Sequence, residues 1–73
     1  NMNKLNELLI KHNISQNQLC LETEFLPSRI SNYVNNRRTP SMKHSRKIVK
    51  GLNDLGINCT LDDVFPPEQS EAA

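Results

Sequence analysis

Seventy-three residues allow one small domain, and a chain this short buries only about 60% of its unfolded surface, so its core must be compact and is expected to be helical. Apolar residues make up 36% and charged residues 23%, with a net charge of +1 and two cysteines, an ordinary globular composition. No apolar run approaches the roughly 20 residues of a membrane span, no signal-peptide pattern opens the chain, and Cys20 and Cys59 are too few for a disulfide scaffold, which disfavours membrane and secreted classes and makes a reducing cytoplasm the expected setting.

Met2 reads as the natural start, with Asn1 as an extra residue. Residues 3 to 12 place Leu5, Leu8, Leu9 and His12 at helical spacing, and Asn13 suits a left-handed stop. Ser15 opens a second helix, Gln18 completes its capping box, and the helix should end near Thr23. Two turns are too few to stand alone, so tertiary packing must hold it. Pro27 marks the first position of a third helix, because its missing N–H is not needed there, and it holds Leu26 extended as an N-cap without a capping oxygen. Ile30, Tyr33 and Val34 form the inward stripe of this helix, Ser28, Asn32 and Asn35 lie opposite, and Arg29 sits near the stripe's edge.

The run from Asn35 to Pro40 supplies turn chemistry and two cations. Ser41 caps a fourth helix over residues 42 to 55, with Met42, Ser45, Ile48, Val49, Leu52 and Leu55 on its inner face and Gly56 as its stop. Thr60 and Asp63 frame a last short helix, Leu61 to Val64, closed by Phe65 and two prolines. Residues 1–67 thus form a single all-α domain, a compact bundle of four to five short helices, and residues 68–73 are expected to be a mobile tail.

Charge is distributed unevenly. Between residues 25 and 53 there is no acid, and that window holds Arg29, Arg37, Arg38, Lys43, Arg46, Lys47 and Lys50, seven of the nine basic residues. Such a one-sided field attracts a polyanion, and nucleic acid leads the candidates. The second and third helices are separated by only three or four residues, a spacing that reads as a helix-turn-helix whose second member enters the major groove. Leu19, Cys20, Phe25 and Ile30 are the inward residues that would lock the pair.

The stretch SQNQLCLETEFLPSRISNYVNNRRTPS, residues 15 to 41, resembles the Cro and C1 repressor type of helix-turn-helix protein. That family follows roughly Ser-Gln-x-x-Leu-Ala, a glycine turn, Ile-Ser, then Asn-Gly-Arg-x-x-Pro-Ser; Ser15, Gln16, Leu19, Ile30, Ser31, Asn35, Arg37, Pro40 and Ser41 match it. The ending Thr60 to Phe65 is similar to the family's fifth helix, so the resemblance spans about residues 3 to 67. It implies a lambda repressor-like DNA-binding domain acting as a phage-type repressor, dimeric at least on a pseudo-palindromic double-stranded operator. Five positions depart from the pattern. Cys20 replaces Ala, Glu24 replaces the turn glycine and leaves the turn either longer or strained, and Asn36 replaces a second glycine. Leu26 and Pro27 replace the polar residues that usually open the recognition helix.

Arg29 is the leading base reader, since Arg to guanine is the commonest specific contact, with Asn32 for adenine and Ser28 for base or phosphate. Gln16 at a helix amino end, with Asn35, Arg37, Arg38 and the rim residue Lys43, are the phosphate candidates. Arg46, Lys47 and Lys50 add field. Tyr33 reads as core. His12 and His44 lack metal-ligand spacing, the cysteines have no CxxC partner, and no nucleophile–base set or phosphate loop is present, so neither metal, cofactor, small-molecule substrate nor enzymatic activity is expected. A second reading stays open. Leu26 and Pro27 present apolar surface where polar readers belong, as a protein-interaction module on the same fold would, for example an antitoxin or an anti-regulator. Leu55, Ile57, Cys59 and the tail are candidates for dimer contact or, equally, for closing the core.

Overall fold

A computed structural model describes residues 3–67 as five helices joined by short connections: α1 (Leu5–Lys11), α2 (Gln16–Thr23), α3 (Pro27–Val34), α4 (Met42–Asp54) and α5 (Leu61–Val64). The expected start at Met2 and the expected mobile tail at 68–73 lie outside the described residues. No strand occurs among the described residues, and no helix there is long and apolar enough to cross a membrane.

The helix ends are set by local chemistry. Ser15 Oγ accepts the Gln18 N–H while the Gln18 side chain accepts the Ser15 N–H, at 3.0 and 2.8 Å, a reciprocal box that satisfies two orphan groups of α2. Thr60 and Asp63 repeat the device at α5, and Ser41 Oγ caps α4 through His44 N–H. Leu26 has no capping oxygen, and Pro27 fills the first position of α3. Asn13 takes a left-handed conformation after α1, with φ of 58°.

Apolar residues from every helix meet in one core. Leu5, Leu19, Ile30, Ile48, Leu52, Ile57 and Val64 are its largest fully buried aliphatic side chains. Here α2 packs on both α3 and α4, α1 packs on α3, and α5 packs on α4. Gly51 admits a close approach of α2 to α4, because a Cβ there would stand 2.8 Å from the Thr23 methyl. Cys20 is buried as the small hydrophobe that its match to alanine requires. Ile57 and Cys59 are buried too, so they close the core rather than offer a dimer contact.

Three expectations need correction. First, α1 spans Leu5–Lys11 rather than 3 to 12, and His12 is exposed at its carboxyl end. Asn3 instead caps the start, its Oδ1 accepting the Leu5 N–H. Second, α4 stops at Asp54, with Leu55 as its C-cap. Third, Met42 is 57% exposed. Buried residues on α4 begin at Ser45, so Met42 in the first turn lies outside the covered stretch of the helix.

Candidate nucleic-acid interface

The connection between α2 and α3 is Glu24 to Leu26, so the substitution of the turn glycine does not lengthen the turn. Its cost appears as strain instead. Glu24 adopts φ of 65° and ψ of 21°, the left-handed region that disfavours a side chain, and its N–H closes onto the Cys20 carbonyl at 2.7 Å. Thr23, 1% exposed, completes the turn. Its hydroxyl donates to the Leu19 carbonyl at 2.8 Å and accepts the Phe25 N–H at 3.3 Å.

From this turn α3 leaves with Ile30, Tyr33 and Val34 buried and Ser28 and Arg29 exposed; Asn32 is partly covered. The connection after α3 is folded tightly. Asn36 is left-handed at φ of 60°, and the N–H groups of Arg37 and Arg38 both reach the Asn32 carbonyl, at 2.8 and 3.3 Å. Asn3 pins this loop from the far end of the chain, donating its side-chain amide to the Tyr33 carbonyl and its backbone N–H to Asn36 Oδ1. No short-range pattern marks Asn3 for that role, which depends on a separation of 33 residues.

Ser28, Arg29 and Asn32 line one surface cleft with Arg38, so the structure brings together all three base-reading candidates and one phosphate candidate. Gln16, Asn35, Arg37 and Lys43 lie outside that cleft, all exposed. Gln16 stands at the first position of α2, where free backbone N–H groups and the helix dipole favour an anion. Asn35 turns its amide back onto Ser31, at 2.9 Å from the carbonyl and 3.2 Å from Oγ, which leaves only its oxygen outward.

The cleft also contains residues that sequence reasoning placed elsewhere. Tyr33 is core by burial, yet its hydroxyl reaches the surface and accepts from Arg29 Nη1 at 3.1 Å. His44, considered only as a metal ligand, brings Nδ1 within 3.3 Å of both Arg29 Nη1 and Tyr33 Oη. The His44 ring meets Phe25 edge-on, with centroids 5.0 Å apart, and the Arg29 guanidinium lies 5.5 Å from the same phenyl ring. Lys47 approaches that ring at 5.9 Å. A spacing of four residues makes the Arg29–Tyr33 pair visible in the sequence. His44 arrives from another helix, so nothing short-range points to it.

Electrostatic compensation is sparse on this stretch. The ion pairs among the described residues are Lys4–Glu7 at 4.0 Å and Lys50–Asp54 at 3.0 Å. Of the seven cations between residues 25 and 53, therefore, only Lys50 has a carboxylate partner among the described residues. The other six keep their charge for an external anion. Comparison with known families gives one finding: a family model described as helix-turn-helix matches residues 5–57. No curated protein and no solved structure matches the chain.

Proposed function

The chain belongs to the Cro/C1-type helix-turn-helix family of DNA-binding regulators, and from that premise we propose that it is a sequence-specific repressor of phage type that reads a pseudo-palindromic operator as a homodimer. In this reading α3 lies in the major groove, with Arg29, Asn32 and Ser28 toward base edges. Gln16, Arg37, Arg38 and Lys43 hold the flanking phosphates and set the register, and Asn35 joins them only when its amide leaves Ser31. One observation carries the proposal: six cations without carboxylate partners among the described residues occupy the same stretch as the helix whose exposed face is polar.

Selection from a random duplex pool, followed by anisotropy titration across salt, tests it. The expected result is a two-fold-symmetric site whose half-sites lie about 34 Å apart, with affinity that falls steeply as salt rises. Binding without enrichment would overturn sequence-specific recognition. Leu26, 70% exposed at the start of α3, favours the second reading, a module that sequesters a protein partner. A complex that survives nuclease treatment, together with an absence of duplex binding, would favour that reading.

A further inference from the structure

We propose that His44 is a positioning residue for Arg29, holding the guanidinium in its reading pose while the imidazole is neutral and releasing it on protonation. The proposal rests on the reading of α3 as a groove-reading helix. The hydrogen-bond chain closes when the His44 proton is on Nε2. Arg29 has donors only, so Tyr33 Oη accepts from Nη1, and the phenol proton is left to point at His44 Nδ1. The proton of the neutral imidazole then sits on Nε2. Because the clamp takes Nη1, the Nε–Nη2 edge of Arg29 stays free, and two parallel donors are what guanine O6 and N7 accept. A long side chain fixed in this way loses less rotamer freedom when it meets a base.

Protonation reverses the arrangement. An imidazolium has no acceptor at Nδ1 and puts a second positive charge 3.3 Å from Nη1. The groups around it add no compensation. Arg29 and Tyr33 face it from α3, Lys47 shares the Phe25 ring from α4, and Arg38 lines the cleft from the connecting loop. None of these cations is paired with a carboxylate among the described residues. Histidine changes charge between about pH 5 and 8. Acidification should therefore cost base discrimination, while general attraction to the duplex holds or rises with the added charge.

The test compares an enriched duplex with a scrambled duplex of equal length at pH about 8 and about 5.5. It uses the full chain and two variants, with circular dichroism melts run in parallel. In H44N the amide oxygen occupies the place of Nδ1 and does not titrate. In H44F the ring edge against Phe25 is kept and the acceptor is lost. The wild-type preference should fall about tenfold on acidification. The H44N preference should persist at both pH values, and the H44F preference should be low at both. A wild-type preference that is flat with pH, or an H44F preference equal to wild type, overturns the proposal. If no duplex is enriched, the functional reading is what fails. The clamp is then decided in the free protein by ¹⁵N guanidinium resonances: slow Nη rotation for Arg29 at pH about 8, lost at about 5.5, supports it, and free rotation at both refutes it.

Discussion

Replacing Gly51 by alanine tests how closely α4 is pressed against the helix that precedes the turn. The added methyl would stand 2.8 Å from Thr23 Cγ2, 3.5 Å from Leu19 Cδ1 and 3.6 Å from Glu22 Cγ. The first separation is about 1 Å shorter than an optimal carbon–carbon contact. Thr23 has little freedom to yield, because its hydroxyl is committed to the Leu19 carbonyl on one side and the Phe25 N–H on the other. Rotating the methyl away breaks both bonds in a buried site. Alanine gains about 1 kcal/mol over glycine in helix propensity. Overpacking a filled core costs about 1–3 kcal/mol, and the locked threonine places this case toward the upper end. The expected net loss is about 1–2 kcal/mol, or about 4–8 °C of Tm for each kcal/mol in a domain of this size.

Thermal and urea melts of G51A, T23S and the double variant measure it. Serine keeps the hydroxyl and removes the offending methyl, so alanine in the T23S background should be neutral or stabilising. Two results would refute the reasoning. One is G51A as stable as wild type. The other is the same loss in both backgrounds, which would mean that the two residues do not meet.

Glu24→Gly relieves the left-handed turn residue and should add about 1 kcal/mol, read as a higher urea midpoint at unchanged slope. Arg37→Ala should weaken enriched and random duplexes by the same factor and lower the salt slope by about 0.9; an unequal loss would move Arg37 among the base readers. Burial pushes both thiols up, aided at Cys59 by the Asp63 carboxylate. The unfolded chain thus releases its thiol protons first, and stability should fall as pH rises through about 8.5. Urea midpoints at pH about 7 and about 9.5 check the sign, and a C20A/C59A variant should lose less over that interval.

Local rules made most of the scaffold legible. The capping boxes at Ser15 and Thr60, Pro27 at the first position of α3 and the left-handed stop at Asn13 are each fixed by contacts within a few residues, and all appear where the pattern puts them. The buried stripe of α3 and the polar residues opposite it follow from helical periodicity alone. Met42 shows the limit of that argument. Periodicity gives the direction in which a side chain points, not whether a neighbouring helix extends far enough to cover it.

The sequence by itself determined the helices, the basic window, the family motif and the face on which the reading candidates sit, because each depends on spacing along one chain segment. Tertiary structure decided three matters. It put the cost of the missing turn glycine into backbone strain at Glu24, it used Ile57 and Cys59 to close the core, and it brought His44 of α4 and Asn3 of the amino-terminal segment against α3 and its following loop. The reason is physical. A capping bond forms between residues already held together by the chain, whereas the Arg29–Tyr33–His44 cluster exists only once α2 has docked α4 beside α3.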